Sequence, residues 1–387
     1  MGLSFDVGIV GAGIQGAGVA QAAAAAGYAV VVWEQTAIAS GTSSRSSKLI
    51  HGGLRYLESG QFALVRTSLA ERALLLKNAS TLVKPVPFYI PIYPTTRRRS
   101  WQIRMGLSLY ALLGNLQRYA RFRRIDSIYL PEKDGLRTDK MQSLYQYWDA
   151  QTDDVALTRA VIQSAQTLGA EVYCPAKVRA VRRVEGAYQV RVEQKGQEKI
   201  YICKALVNAA GPWVNTVLDI VEPRTTKLEI DLVQGTHIIV DDAAPSGLYY
   251  VEAPQDQRAV FVMPWHGKTM IGTTESQFRG TDPAAVKPLP EEVEYLQQVY
   301  QYYFPKRGGK LLDSFAGLRV LARQDNKFFN RPRDTIFHSD SAFPGFLTLY
   351  GGKLTGYRAT AEEVIQNLRK VLPVKNKKVD TRELELS

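Results

Sequence analysis

Asp6-Val7-Gly8-Ile9-Val10-Gly11-Ala12-Gly13-Ile14-Gln15-Gly16 opens the chain with an apolar run and three glycines spaced Gly-x-Gly-x-x-Gly, followed by an alanine-rich stretch through Ala26 that Gly27 closes. The apolar run reads as a buried strand and the alanines as a helix, with Gly27 at its C-terminal end. Gly11 permits the tight turn, Gly13 lets a pyrophosphate approach the backbone, and Gly16 lets helix and strand pack closely. The N-terminal end of the helix then faces the negative charge. A second strand over residues 29–33 ends at Glu34, about 20 residues beyond the glycines, where a carboxylate accepts hydrogen bonds from a ribose. The glycine spacing alone is a weak signal. A strand before it, a helix after it and an acid at that distance together specify a dinucleotide site in an α/β, Rossmann-like domain. Glu34 disfavours a 2′-phosphate and so NADP, while FAD and NAD are not separated by these residues.

Just beyond Glu34, residues 41–58 carry hydroxyls, glycines, a histidine and cations where core segments place aliphatics: Thr42, Ser43, Ser44, Ser46, Ser47, Lys48, His51, Gly52, Gly53 and Arg55. Such a composition needs a polar, anionic ligand beside it, so recognition continues from the glycine loop into this segment.

The remaining composition sets bounds. A chain of 387 residues exceeds what one core usually serves and predicts two domains. Cys174 and Cys203 are the only two cysteines, without metal or Cys-x-x-Cys spacing; no metal site is expected, and a reducing compartment is. The first strand begins by Phe5, which leaves no room for a signal peptide, and the apolar run over residues 17–26 is too short to span a bilayer. The expectation is a cytoplasmic protein, peripheral on the inner face of the cell membrane if something holds it there. Much of the net charge of +12 lies over residues 97–124, where Arg97, Arg98, Arg99, Arg104, Arg118, Arg121, Arg123 and Arg124 occur without an acid among Trp101, Met105, Leu112, Leu116 and other apolar residues. A basic helix here suits an anionic membrane surface, where each cation adds about 1 kcal/mol. The same pattern also fits an ordinary helix with solvated arginines. No nucleic-acid-binding module accompanies the charge, so nucleic acid is not expected as a partner.

Further along, residues 154–168 read as a helix and residues 171–184, 188–192 and 199–202 as short strands. Residues 205–213 read as a buried strand ending in the small-residue turn at Ala210 and Gly211, which lets backbone come close to a flat cofactor. Runs at 237–240, 260–263 and 270–274 predict an antiparallel sheet, covered by a helix at 291–303. Finally, 346–350 reads as a strand, Gly351-Gly352-Lys353-Leu354-Thr355 as a turn and 356–371 as a helix, which repeats the opening arrangement.

In order and spacing, the motifs Gly11 to Gly16, Ser43 to Glu58, Val207 to Trp213, Gly272-Thr273-Thr274, Gly317-Leu318-Arg319 and Gly351 to Arg358 resemble those of the FAD-dependent glycerol-3-phosphate dehydrogenases of the D-amino-acid-oxidase-like flavoproteins. The string from Ser43 through Lys48-Leu49-Ile50-His51-Gly52-Gly53-Leu54-Arg55-Tyr56-Leu57 is the most specific. The resemblance covers about residues 5–370. It implies FAD rather than NAD, and oxidation of sn-glycerol 3-phosphate to dihydroxyacetone phosphate with electrons passing to a quinone or oxygen. It implies an FAD domain over 1–85, 150–220 and 315–372, an inserted antiparallel β-sheet substrate domain over 86–149 and 221–314 with the basic helix 97–124, and a tail over 373–387. FAD would be held by Gly11, Gly13, Ile14, Gln15 and Gly16, by Glu34, by the segment Thr42, Ser43, Ser44, Ser46, Ser47, Lys48, Leu49, His51, Gly52 and Gly53, by Ala210 and Gly211, and by Gly352, Lys353, Leu354 and Thr355.

Three departures stand out. Family members usually carry a further helical C-terminal domain; Glu275 stands where Gly-Thr-Thr is usually followed by Asp; Val320 stands where the arginine is usually followed by Pro. The first two leave room for a rival, an FAD-dependent oxidase of a 2-hydroxy acid or secondary amine, and the basic segment 97–124 leaves room for another, a non-catalytic flavin-bearing membrane- or RNA-associated protein.

A phosphate ester calls for a cation cluster offering hydrogen-bond forks. Arg55, Arg319, Lys353 and Arg333 are the candidates, with Tyr56 beside Arg55 and Thr274 for the substrate hydroxyl. Hydride loss from the alcohol carbon requires removal of the hydroxyl proton, for which a neutral imidazole serves. His237 in Gly235-Thr236-His237 is the first choice and His51 the second, while Lys353 and the following helix N-terminus would stabilise negative charge on the reduced flavin.

Overall fold

The computed structural model describes residues 3–126, 132–323 and 335–387. Arg333 lies outside them. The opening strand, Leu3–Val10, is buried from Phe5 onward and pairs in parallel with Val30–Trp33 on one side and Gln197–Asn208 on the other. The first sheet continues in parallel to Glu171–Tyr173 beyond Val30–Trp33 and to Phe346–Tyr350 beside Leu206–Asn208. The segments read as separate strands at 199–202 and 205–213 are one strand of 12 residues. Its first half pairs antiparallel with Ala187–Gln194 while its last residues join the parallel set. It therefore joins the nucleotide-binding half of the sheet to the antiparallel run through Lys177–Val184. The helices Ile14–Ala25, Asp154–Thr167 and Tyr357–Leu368 contribute to one apolar core with this sheet.

The glycines act as read. A Cβ on Gly16 would lie 1.9 Å from the Gly11 carbonyl oxygen, so only glycine lets the helix start so close to the strand end. Gly11 has φ of +102°, and a Cβ there would meet the Ala209 carbonyl oxygen at 2.8 Å.

The second sheet runs Ser276–Gln277, Ile230–Val240, Lys268–Gly272, Ala259–Trp265, Leu248–Glu252, Val83–Ile92, Ser143–Thr152 and Leu49–Ile50, with Leu311–Ala322 on the far side of Ile230–Val240. Its pairs are antiparallel except at Leu248 and Tyr249, which run parallel to Phe88 and Tyr89. Val83–Ile92 carries Pro85, Pro87 and Pro91, yet its register with Ser143–Thr152 is unbroken. The three prolines share one parity, so their missing N–H groups all face the same neighbour and spare the other ladder.

Two expectations are corrected. The basic segment 97–124 is not one helix: the helix is Ser100–Leu113, and Arg123–Ile125 is a strand on Ser143–Thr152. Residues 373–387 are not a loose tail. Lys375 pairs with Asp6, Lys378 N donates to the Ala25 carbonyl at 2.8 Å, and Leu386 is buried in the nucleotide-side core. Among the described residues no helix is long and apolar enough to cross a membrane.

Candidate active site

The segment 41–58 runs from the first sheet to the second and builds the floor between them. Ile14 N, at the start of the first helix, donates to Ser43 Oγ at 2.9 Å, which ties this segment to the glycine loop. Thr42 Oγ1 donates to the Leu318 carbonyl at 2.7 Å and Arg45 Nη1 to the Ala316 carbonyl at 3.2 Å, fastening it to Leu311–Ala322. Leu49–Ile50 then enters the edge of the second sheet, and His51 N donates to Thr355 Oγ1 at 3.1 Å, reaching the final glycine turn. That turn also meets the first one: Gln15 Nε2 donates to the Lys353 carbonyl at 3.1 Å, and Gly352, at φ of +108°, has no room for a Cβ beside the Gln15 side chain.

These contacts enclose one cavity of about 1180 Å³, more than a drug-sized ligand needs and enough for a dinucleotide with a small substrate. It is lined by Gly11, Gly13, Ile14 and Gln15, by Glu34, by Thr42, Ser43, Ser46, Ser47, Leu49 and His51, by Ala210 and Gly211, and by Gly352, Lys353, Leu354 and Thr355. Arg55, Tyr56, His237 and Arg319 line it as well. Segments distant in sequence thus meet at one space. The Tyr56 ring joins the two cations there, with Lys353 Nζ 4.2 Å and Arg55 Cζ 5.7 Å from its centroid.

Other expected contacts are corrected. Lys48 Nζ is buried against Asp154 Oδ1 at 2.6 Å and the Ser44 carbonyl at 2.6 Å, a fixed structural pair that does not line the cavity. Ser44 Oγ donates to the Gly41 carbonyl at 2.9 Å. Gly16, Gly52 and Gly53 serve packing: a Cβ on Gly52 would strike Leu69 and Tyr110 at 2.5 Å, and one on Gly53 would strike Tyr56 at 2.2 Å. Thr274 Oγ1 donates to Glu292 Oε1 at 2.8 Å and accepts from Thr236 N at 2.8 Å, behind the cavity wall. Its neighbour Thr273 lines the cavity instead, where its Oγ1 accepts from Arg319 Nη2 at 3.3 Å. The doublet was legible, but the pleat decided which threonine faces the ligand. Glu34 uses both oxygens on the backbone, accepting from Ala12 N at 2.9 Å and Thr36 N at 2.9 Å. Thr36 Oγ1 also donates to Oε1 at 3.4 Å, which fixes the carboxylate and leaves Oε2 a further lone pair for a ribose.

Sequence reasoning missed Trp33, Gly235, Tyr250, Phe261 and Trp213, which also line the cavity. An aromatic residue at a strand end reads as core, and only the sheet's curl turns it to a ligand. The Trp33 Nε1 donor and the Gln15 Oε1 acceptor are buried without a partner among the described residues, as befits walls that await a polar ligand.

The two histidines differ. His51 lies half-buried on the cavity, its pKa lowered to about 4 by burial and by the cations Lys353, Arg55 and Arg72, against the opposing pull of Asp149. His237 is 1% exposed, shares a 2.9 Å hydrogen bond between Nε2 and Ser47 Oγ, and stacks on Phe315. Burial, then Arg319 and Lys48, lowers its pKa to about 3. Both are neutral at pH 7.

The family model for FAD-dependent oxidoreductases matches residues 6–358. The chain belongs to the FAD-dependent oxidoreductase family. It is therefore an FAD-dependent enzyme, and the donors and bare glycine backbone along the cavity fit that cofactor. Similar curated proteins are the glycerol-3-phosphate dehydrogenase of Pseudomonas aeruginosa, 38% identical over 94% of this chain and 72% of that protein. Another is the D-erythritol 1-phosphate dehydrogenase of Brucella abortus, 36% identical over 95% of this chain and 74% of that one. Among solved structures, the glycerol-3-phosphate dehydrogenase of Bacillus halodurans complexed with FAD superposes with a TM-score of 0.77 at 28% identity, covering 99% of this chain and 68% of that one.

Proposed function

We propose that the protein oxidises the secondary alcohol of a short polyol phosphate, sn-glycerol 3-phosphate, to the ketone of dihydroxyacetone phosphate. The observation that carries this reading is the meeting of Arg55 and Lys353 around Tyr56, beside a neutral His51, at the cavity that the glycine turns form. A phosphate monoester bears about two negative charges at pH 7, and two converging cations suit it better than the single carboxylate of a 2-hydroxy acid or the cation of an amine.

FAD, held by the glycine loop, Glu34, the serine segment and the final Gly-Gly turn, supplies the acceptor for the hydride that leaves C2. The chain's own groups do the rest. Arg55 and Lys353 grip the phosphate, and Arg319, braced by Thr273 and 3.9 Å from Glu275 Oε1, faces the same space. His51 takes the C2 hydroxyl proton. His237 suits that role less well, because its Nε2 is engaged with Ser47 and its ring, 1% exposed, is stacked on Phe315. Burial is the first cause that lowers the His51 pKa to about 4, and Lys353 and Arg55 add to it; seating the dianion between them cancels their part, so the imidazole becomes a stronger base when substrate arrives.

For the electron acceptor we favour a quinone reached at an anionic membrane face. The helix Ser100–Leu113 turns Ile103, Leu107 and Tyr110 inward but leaves Trp101, Met105 and Leu112 each 62% exposed along its opposite side, with Arg99, Arg104 and Arg118 also exposed nearby. An outward apolar stripe bordered by arginines fits the interface of acidic lipids. Co-sedimentation should follow vesicles containing phosphatidylserine and not neutral vesicles, and Trp101→Ser with Leu112→Ser should abolish it; equal recovery with both vesicle types contradicts the membrane reading.

Dye-linked turnover tests the substrate. Glycerol 3-phosphate should be oxidised, with glycerol and lactate at least about a hundredfold poorer in kcat/KM, and Arg55→Ala should raise KM about tenfold or more, the loss of a charge-assisted contact worth about 1.5 kcal/mol. A variant with unchanged KM removes Arg55 from the site. Preference for D-erythritol 1-phosphate over glycerol 3-phosphate would keep the phosphate grip and move the substrate to a longer polyol.

A further inference from the structure

The backbone step from His51 to Gly52 is gripped from two sides. Thr355 Oγ1 accepts from His51 N on the cofactor side. The next amide, Gly52 N, points the other way into the protein, where the Tyr110 hydroxyl accepts from it at 2.9 Å and Asp149 Oδ1 at 3.2 Å. Tyr110 in turn donates to Asp149, with its hydroxyl 2.7 Å and 2.9 Å from the two carboxylate oxygens. Arg72 pairs with the same carboxylate and donates to the carbonyls of Trp148 and Tyr119, each at 2.8 Å. The three residues are 0%, 1% and 3% exposed in the order Tyr110, Asp149, Arg72, and none of them lines the cavity. They arrive from three elements: Arg72 from the helix Phe62–Asn78, Tyr110 from Ser100–Leu113 and Asp149 from Ser143–Thr152.

A buried ion pair is a poor device for stability, since apolar residues of the same volume do as well or better. It is a good device for fixing one geometry. Tyr110 is its hinge, because its oxygen both donates to the carboxylate and accepts from the Gly52 amide. We propose that Tyr110 and Asp149 are positioning residues for the oxidation, holding the His51–Gly52 step so that the imidazole meets the substrate hydroxyl in one orientation. Of the charges that act on His51, Asp149 favours its protonated form, while Lys353, Arg55 and Arg72, the last paired with Asp149 itself, oppose it, so Asp149 also supports the proton the imidazole accepts. The inference rests on His51 as the proton acceptor, and its test separates the two.

The test uses the FAD-loaded enzyme with Tyr110→Phe, Asp149→Asn and His51→Gln. Tyr110→Phe keeps the ring and its packing and deletes only the hydroxyl. Its kcat should fall about tenfold while KM for glycerol 3-phosphate stays within about twofold, since small misplacement of a reacting group costs rate more than binding. Hydrogen exchange at the Gly52 amide should quicken by about the same factor, with exchange in the central strands unchanged. Asp149→Asn should show the same split, or fail to fold with Arg72 left unpaired, in which case Tyr110→Phe alone decides. If His51→Gln is severely impaired while Tyr110→Phe turns over at the parental rate with a faster Gly52 amide, the positioning role is overturned and His51 stands. If His51→Gln itself turns over at the parental rate, the proton-acceptor reading fails and takes this proposal with it.

Discussion

His237 and His51 are both held neutral, first by burial and then by nearby cations, and each has a consequence that can be measured. His237 is buried, with its folded pKa lowered from 6.5 to about 3. Between those values the unfolded chain binds a proton that the folded chain refuses, so stability is full above pH 6.5 and declines as pH falls, by at most about 1.4 kcal/mol per pH unit from this one residue. His237→Gln should therefore flatten the fall of Tm between pH 6.5 and pH 4; an unchanged slope would mean the imidazole already carries a proton in the folded state. His51 predicts a kinetic effect. The acid limb of kcat should lie at higher pH than that of kcat/KM, because the bound phosphate raises the imidazole pKa, and coincident limbs contradict a phosphate seated beside it. Glu292 is the opposite case, a buried carboxylate held charged. It accepts from Gln234, Thr236, Thr274, Ser276 and Leu289 N, and although burial opposes it, the side-chain donors hold its pKa below 4.5. It pins the strand segments beside His237 and Thr273, so Glu292→Gln should cost about 2 kcal/mol by urea unfolding.

The elements legible in advance were those whose meaning is local. Strand, glycines and helix at residues 3–25, and again at 346–368, follow from apolar runs and bare backbone. The strand Val83–Ile92 was not legible, because three prolines argue against a central strand and only their shared parity in the folded sheet removes the objection. The helix Phe62–Asn78 carries no strong local signal, having no side-chain cap and a mixed polar composition that its long-range partners, not its propensity, stabilise. Thr274 was preferred to Thr273 because a doublet does not reveal its pleat. The segment after residue 373 read as a tail because its lysines and acids suggest solvent, yet they pair with Asp6 and with one another while Leu386 reaches the core. Leu386→Ala should accordingly lower stability by about 2–3 kcal/mol, a loss too large for an undocked terminus.

The molecule as a whole is two sheets between which the chain passes several times, first through the serine-rich segment, and its chemistry lies where that segment crosses. Gly13, His51 and Gly352 are far apart in sequence and line one cavity with Arg55 and Lys353. The first sheet supplies the bare backbone for a dinucleotide, the second the walls for a substrate, and the serine-rich crossing carries the imidazole and one of the two phosphate-gripping cations. Membrane contact through Ser100–Leu113 would address the same segment, since Tyr110 on the inner side of that helix holds the Gly52 amide. The most direct test of this arrangement is anaerobic titration of the purified, yellow holoenzyme with sn-glycerol 3-phosphate, followed at the flavin absorbance band. The band should bleach in proportion to added substrate until the flavin is fully reduced. A bound flavin that keeps its colour through excess glycerol 3-phosphate and other short polyol phosphates would contradict the account.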